Sequence, residues 1–182
     1  MVDVRQQRRV FFALWPGPRV RQQISCCLAQ LAVTGRRIPP ANYHLTLHFL
    51  GNTPVDTLDC YQRAATGLAF AGFTLRCDKF GLFPKPGLLW LGCTRLPESL
   101  LALVEGLGQR LQQCGYQADS RPFTPHVSLY RKVARSAGSG RGFRLPAVSP
   151  VIDWKVEGFS LLESVAIDRG VCYRPLQTWP LA

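Results

Sequence analysis

The chain of 182 residues is 47% hydrophobic and 18% charged, a balance typical of a packed globular protein. It has no apolar run of about 18 residues, which excludes a membrane-spanning helix, and its basic N-terminus lacks the apolar core of a signal peptide. The net charge of +11 is carried mostly by arginine and favours nucleic acid as a partner, although a GC-rich genome would also enrich arginine.

The N-terminal half of the sequence alternates between predicted strands and helices. A β-rich run from Arg8 ends at Pro16, and apolar residues on one face predict a helix over residues 18–33. A strand follows at His44–Gly51. Thr53 is typical of an N-cap and is followed by proline, so a second helix is expected to begin there.

The C-terminal half continues the mixed order of elements. Its predicted elements are, in chain order, a hairpin of strands 73–84 and 87–93, a helix over 100–111 that ends at Gly115, a strand from His126, a loop over 134–150 and two strands near 152–163 and 171–176. The loop carries Arg135, Arg141 and Arg144 and could close over a substrate. The antiparallel hairpins predict an α+β fold, with residues 1–182 as a single domain, rather than a doubly wound parallel sheet.

One four-residue pattern occurs twice, a little less than half a chain apart. The segment His44–Leu47, which reads His-Leu-Thr-Leu, recurs as His126–Leu129, which reads His-Val-Ser-Leu. Alternate residues of a strand share a face, so each histidine is expected beside a hydroxyl, while the leucines and Phe49 face the core. A duplication about a pseudo-twofold axis would bring one histidine from each half to a shared cleft.

The repeated pattern supplies the groups that phosphodiester hydrolysis needs. Two imidazoles, one neutral and one protonated, provide a general base and a general acid near neutral pH without a metal. The hydroxyls of Thr46 and Ser128 can donate hydrogen bonds to phosphate oxygens, on which negative charge develops. Either histidine alone would most simply be a hydrogen-bonded strand residue. The matched pair, in a chain with three histidines, instead indicates a two-histidine phosphoesterase.

Three residues beside the motifs allow more than one interpretation. Arg131 can pair with phosphate, but strict alternation turns it away from His126 unless a bulge or a strand end intervenes. Tyr130 shares the His126 face and is either a base-stacking or a structural residue. His48 would form a zinc pair with His44 only on a helix, where residues four apart align, so no metal site is expected.

The seven cysteines are predicted to be reduced thiols. Their number is odd and none forms a Cys-x-x-Cys pair, whereas a disulfide framework or a zinc site shows clustered spacing. Reduced thiols and the absence of a signal peptide predict a cytoplasmic protein without membrane association. No heptad pattern or long apolar strip is present, so a monomer is expected.

The two motifs and their surroundings resemble the 2H phosphoesterase superfamily. Within it the sequence is most similar to bacterial RNA 2′,3′-cyclic phosphodiesterases of the LigT type, also called 2′-5′ RNA ligases, over nearly the whole chain. Besides the motifs, the similar segments are Arg9–Ala13, Lys85–Gly92 and Gly170–Trp179. The resemblance implies a bilobal, pseudo-twofold duplicated α+β fold in which two antiparallel sheets line a central cleft with helices outside. It also implies no metal and no nucleotide cofactor.

The resemblance implies a role for each motif residue. His44 would be the proton donor to the leaving 3′ oxygen, His126 the proton acceptor that activates water, and Thr46 and Ser128 would bind the phosphate. The substrate would be RNA ending in a 2′,3′-cyclic phosphate, such as a tRNA half, and the product a 2′-phosphomonoester. An RNA 5′-hydroxyl in place of water would give reversible 2′-5′ ligation. Two alternatives stay open: another phosphodiester, such as a cyclic nucleotide or a 2′-5′ oligoadenylate, and a non-catalytic RNA-binding module that retains the cleft.

Overall fold

The computed structural model describes residues 7–118, 121–133, 145, 150–168 and 170–182. Its elements, in chain order, are β1 (Gln7–Leu14), α1 (Pro18–Ala29), β2 (Arg36–Arg37), a 3-10 helix (Pro40–Asn42), β3 (Leu45–Pro54), α2 (Val55–Ala65), β4 (Phe73–Cys77), β5 (Lys79–Phe83), β6 (Leu88–Gly92), α3 (Glu98–Gln112), β7 (His126–Arg131), β8 (Ile152–Val156), β9 (Gly158–Ile167) and β10 (Gly170–Pro180). No helix in this part of the chain is long and apolar enough to cross a membrane. Arg135, Arg141 and Arg144 of the predicted loop lie outside the described residues.

The strands form an eight-stranded antiparallel sheet and a separate pair. The large sheet has the order β10-β9-β1-β3-β7-β6-β5, with β2 paired to β7, and the small sheet consists of β4 and β8. The large sheet has two halves, and each half holds one histidine motif. The halves are joined where β3 meets β7, at the antiparallel pair of Leu45 with Val127. The predicted α+β class is confirmed, and the two predicted sheets are the two halves of this larger one.

Both motif strands carry a β-bulge at the same position. The pairing of β3 with β1 skips Leu47, and the pairing of β7 with β6 skips Leu129, each three residues after the motif histidine. An extra residue in one strand reverses the alternation of faces beyond it. The side chains five residues after the histidines, Phe49 and Arg131, therefore return to the histidine face. The matching bulges also support the proposed internal duplication.

The bulge in β3 corrects the prediction that Phe49 belongs to the core. Phe49 is 50% exposed, whereas His48 is buried on the opposite face of the sheet. The His48 Nε2–H donates to the Val104 carbonyl of α3 at 2.8 Å, and its Nδ1 accepts from the Tyr116 hydroxyl at 3.3 Å. Gly108 leaves room for the ring, since a Cβ there would lie 3.0 Å from His48 Cε1. His48 thus attaches β3 to α3.

The predicted hairpin of strands 73–84 and 87–93 is only partly correct. The first strand breaks at Asp78, whose Oδ1 accepts from the Thr94 backbone N–H at 2.7 Å. Before the break, β4 pairs with β8, and after it β5 pairs with β6 in the other sheet. The C-terminal region holds three strands instead of the two predicted, because a single residue, Glu157, separates β8 from β9.

The helices agree more closely with the sequence pattern. The third predicted helix is confirmed as α3, whose buried face is leucine-rich, and Gly115 has a φ of 81° just beyond its end. The first helix ends at Ala29, earlier than predicted. The second begins at Val55, and the predicted N-cap is wrong: Thr53 belongs to β3, and its hydroxyl donates to the Gly51 carbonyl at 3.3 Å.

A disulfide joins Cys60 of α2 to Cys114 after α3, which corrects the prediction that every cysteine is reduced. The two residues are 54 positions apart and have no spacing signature, but the packing of α2 against α3 brings their Cα atoms to 5.8 Å. The other described cysteines are free thiols, including Cys77 and Cys93, whose sulfur atoms lie 3.9 Å apart.

The cross-link between α2 and α3 is expected to stabilise the protein because it lowers the conformational entropy of the unfolded chain. Cys114→Ser should lower the free energy of unfolding by about 2–4 kcal/mol, equivalent to a fall in Tm of roughly 5–15 °C. Differential scanning calorimetry would measure the change, with Cys172→Ser, at a free thiol, as the matched control. A reductant should lower the Tm of the wild type and leave that of Cys114→Ser unchanged; equal responses would contradict the cross-link.

Candidate active site

The two motif histidines are held by the same hydrogen bond in both halves of the sheet. The His44 Nδ1–H donates to the Asn42 carbonyl at 2.7 Å, and the His126 Nδ1–H donates to the Thr124 carbonyl at 2.7 Å. In each case the acceptor belongs to the residue two positions earlier in the chain. A hydrogen bond at Nδ1 orients the ring and leaves Nε2 as the nitrogen available for proton transfer. The sequence repeat is therefore also a repeat of geometry.

Aromatic rings enclose His44. The Phe11 ring lies 4.9 Å from the imidazole, and the Tyr173 ring meets it edge-on at 4.8 Å, both between centroids. Burial among these rings lowers the pKa of His44 to about 4, because it penalises the charged imidazolium, and the nearby charges of His126 and Arg131 lower it further. The backbone hydrogen bond at Nδ1 opposes this shift without overcoming it. His44 is thus neutral at neutral pH in the unliganded protein.

His126 has a comparable aromatic wall built from the other half of the sheet. The Phe83 ring of β5 meets its imidazole edge-on at 5.1 Å, and the Trp90 ring of β6 lies at 6.1 Å. Trp90 packs directly on Gly81, where any Cβ would collide with the indole. These aromatic walls could not be predicted from the sequence, because aromatic residues in strands are usually core residues and their approach to a histidine depends on strand order.

The two motif hydroxyls lie on the histidine face and are available to a ligand. Thr46 and Ser128 are half-buried, and within the described part of the chain neither hydroxyl has a hydrogen-bond partner. Because β3 and β7 run antiparallel from their shared pair, each hydroxyl is placed near the histidine of the opposite strand. The register therefore places two imidazoles and two hydroxyls on neighbouring strands.

A cavity of about 1170 Å³ opens beside this group of side chains. It lies on the His126 side of the site, and the sheet contributes Thr46, Leu47, His48, Phe49, Phe83 and His126 to its lining. His44, Ser128 and Arg131 do not line it. The opposite side is formed by α3 and by described residues of the segment that leads to β7. This volume slightly exceeds the range of about 300–1,000 Å³ that is usual for small-molecule sites, and it is large enough for a nucleotide.

Arg131 lies close to His44, which its position in a regular strand would not allow. The bulge at Leu129 turns its side chain to the histidine face, and its charge lowers the pKa values of both His44 and Tyr173. The same bulge turns Tyr130 away, so the suggestion that Tyr130 shares the His126 face is wrong. Arg131 therefore meets the geometric condition that the sequence analysis set for a phosphate-binding role.

The described residues contain no group of three or more His, Cys, Asp or Glu side chains that could hold a metal ion. The zinc pair weighed for His44 and His48 is not formed, because the bulge at Leu47 places the two rings on opposite faces of the sheet. Both ring nitrogens of His48 are engaged by α3 and Tyr116. His48 is therefore a structural residue.

Comparison with known proteins places this chain in a family. Residues 15–90 match the family described as LigT like phosphoesterase. The chain is 32% identical to the RNA 2′,3′-cyclic phosphodiesterase of Thermus thermophilus, with 95% of this chain and 90% of that protein covered. It is 29% identical to the Escherichia coli protein of the same name, with 97% and 98% covered.

Solved structures agree with the sequence comparison. The crystal structure of E. coli LigT complexed with 3′-AMP matches with a TM-score of 0.86 at 28% identity, covering 96% of this chain and 98% of that one. The likeness therefore spans both halves of the sheet and both histidine motifs. Together with the 32% identical relative, it shows that the chain belongs to the LigT-like phosphoesterase family.

Proposed function

We propose that the protein is a metal-independent phosphodiesterase that hydrolyses RNA 2′,3′-cyclic phosphate ends to 2′-phosphomonoesters. The observation that carries the proposal is the matched pair of histidines, each fixed at Nδ1 by the carbonyl two residues earlier. Each is accompanied by a hydroxyl that has no hydrogen-bond partner among the described residues. The names of the relatives in T. thermophilus and E. coli support the choice of substrate. A module that only bound RNA would have no need for two equally oriented imidazoles.

The reaction assigns one proton transfer to each histidine. His126 accepts a proton at Nε2 from the water molecule that attacks phosphorus. His44, protonated, donates from Nε2 to the 3′ oxygen as the P–O3′ bond breaks. The hydroxyls of Thr46 and Ser128 donate to the non-bridging oxygens, and Arg131 adds positive charge nearby. An RNA 5′-hydroxyl in place of water would form a 2′-5′ linkage in the same site.

The charge of the bound substrate must raise the pKa of His44 before that residue can act as the acid. With a pKa of about 4, His44 is almost entirely unprotonated at neutral pH in the unliganded protein and has no proton to donate. A phosphodiester anion bound between the two rings favours the imidazolium and raises the pKa of His44. We infer that His44 takes up its proton when substrate binds. The physiological RNA (tRNA halves are one candidate), the monomeric state and the cytoplasmic location stay predictions.

The first test replaces each histidine in turn. His44→Ala and His126→Ala should each lower the rate of cyclic phosphate hydrolysis by ~10²-fold or more, and the double variant should be little worse, because the pair acts as a unit. The assay uses a defined RNA with a 2′,3′-cyclic phosphate end, and chromatography identifies the product isomer.

His48→Gln is the matched control for these variants. It should lower Tm, since His48 attaches β3 to α3, and leave kcat of the folded protein unchanged. Near-wild-type activity in His44→Ala or His126→Ala would remove that residue from the mechanism. Failure of the wild type to open the cyclic phosphate would reject the proposed function itself.

A second test concerns metal. Because both proton transfers are assigned to imidazoles, dialysis against EDTA followed by metal-free buffer should leave kcat unchanged. Activity that disappears on chelation and returns with Zn²⁺ would show that a metal performs one of the two steps.

A third test measures the pKa of His44 directly. NMR titration of the imidazole should give a midpoint near pH 4 in the free protein and a higher midpoint with 2′-AMP bound. Tyr173→Ala opens the ring to water and should raise the free-protein midpoint towards the ordinary value of ~6.5. Phe83→Ala, which removes a ring beside His126, is the control and should leave the His44 midpoint in place. An ordinary midpoint in the free wild-type protein would show that the rings do not desolvate His44.

A further inference from the structure

The carbonyl that orients His44 belongs to a residue that is itself anchored to a distant strand. The Asn42 backbone carbonyl accepts the Nδ1–H of His44 at 2.7 Å, and the Asn42 side-chain amide donates to the Val171 carbonyl of β10 at 2.8 Å. Asn42 and Val171 are 129 positions apart in the chain. One residue therefore connects the support of His44 to a strand near the C-terminal end of the sequence.

The burial of Asn42 indicates that its amide is needed for a specific bond rather than for packing. Asn42 is 8% exposed. A buried amide costs free energy unless it is hydrogen-bonded, whereas an apolar side chain would fill the same space without that cost. A further bond to the 3-10 helix, from the Trp15 Nε1–H to the Ala41 carbonyl, is exposed and longer, at 3.3 Å. The Asn42 amide is thus the buried link that fixes the end of this helix.

The strand that receives the Asn42 amide also carries part of the aromatic wall around His44. Tyr173 lies two residues after Val171 in β10, and its ring meets the imidazole edge-on at 4.8 Å between centroids. The hydrogen bond from Asn42 therefore ties the support of His44 to the strand that keeps water away from it. Movement of Asn42 would change the direction of the imidazole and its surroundings together.

The support of His126 is built differently. The Thr124 backbone carbonyl accepts the Nδ1–H of His126, but Thr124 is exposed, and its hydroxyl donates to the Pro122 carbonyl two residues earlier at 3.4 Å. Within the described ranges the support of His126 is therefore local, whereas that of His44 is long-range. The long-range support belongs to the histidine that is neutral before substrate binds.

A neutral imidazole has two tautomers, and one of them suits the role proposed for His44. The proton for the 3′ oxygen must leave from Nε2, so Nε2 must be free to take up a proton when substrate binds. The resting proton must then be on Nδ1, where the Asn42 carbonyl accepts it. If that carbonyl were free to turn away, Nδ1 would lose its partner and both tautomers would be populated.

We propose that Asn42 is a positioning residue for the acid of the reaction. Its amide, bound to Val171, holds its own carbonyl against Nδ1 of His44, which keeps Nε2 unprotonated and directed into the cleft until substrate arrives. The inference rests on the proposed function, because it takes His44 as the acid. Asn42 acts through the imidazole and makes no contact with the reacting atoms.

Asn42→Leu tests the anchor, because leucine keeps the branched shape of asparagine and has no hydrogen-bond donor in its side chain. It should lower kcat about ten- to a hundredfold, the scale of a small misplacement of a catalytic group, and change KM less than about twofold. Asn42→Ala, which removes volume instead of adding it, should give the same result. Calorimetric titration with 2′-AMP counts the folded sites, so that kcat is expressed per site.

Ser160→Ala is the matched control. It removes another buried bond to β10, between the Ser160 and Thr178 hydroxyls at 2.8 Å. This variant should lower Tm and leave kcat per site unchanged. A comparable loss of kcat in Ser160→Ala, or wild-type kcat in both Asn42 variants, would overturn the proposal.

Nitrogen-15 NMR of the His44 ring at neutral pH measures the tautomer and requires no turnover. The free wild-type protein and Ser160→Ala should show one tautomer, protonated at Nδ1, and Asn42→Leu should show both. An unchanged tautomer in an Asn42 variant with lowered kcat would overturn the role assigned to Asn42. If the wild type failed to hydrolyse RNA ends, the proposed function would fall, while this measurement would still support or reject the anchor.

Discussion

The site depends on the antiparallel contact between β3 and β7. At the pair of Leu45 with Val127 two otherwise separate halves of the sheet share a backbone register, which brings one histidine motif from each half to the same face. The bulge three residues after each histidine then re-aims the following side chains, so that Phe49 and Arg131 face the cleft. Without the contact the two histidine motifs would not share a face of one sheet. Without the bulges Phe49 and Arg131 would lie on the opposite face from the histidines.

The surroundings of His44 combine an apolar wall with nearby positive charge. Phe11 and Tyr173 exclude water, which disfavours the imidazolium, while Arg131 and His126 discourage protonation further. A bound phosphate anion opposes these contributions, because in a poorly hydrated pocket it attracts the imidazolium strongly. The net charge of +11 raises the local concentration of such anions. Anion binding and the protonation of His44 are thereby coupled.

Much of this arrangement could be predicted from the sequence, because its periodicity is local. The leucine pattern predicted α3. The recurrence of His-x-Thr/Ser-Leu predicted that two histidines and two hydroxyl side chains form the site. The remainder could not be predicted, since it depends on register and distance in space. Because the pairing of β3 with β1 skips Leu47, His48 is buried and Phe49 lies on the cleft face, the reverse of what regular alternation predicts. The partners Cys60 and Cys114 are 54 positions apart, and only the packing of two helices reveals them.

The bulge-directed pair of Phe49 and Arg131 bears on how such an enzyme can arise by duplication. A homodimer of half-length chains is bound by its twofold axis, so any side chain placed on one side of the cleft must also appear on the other. Such a site would offer the same groups to a ligand from both sides. Fusion of the two copies removes that constraint, since each copy of the strand can then change alone. In this chain that freedom is visible at one pair of positions, where one half of the sheet carries Phe49 and the other carries Arg131.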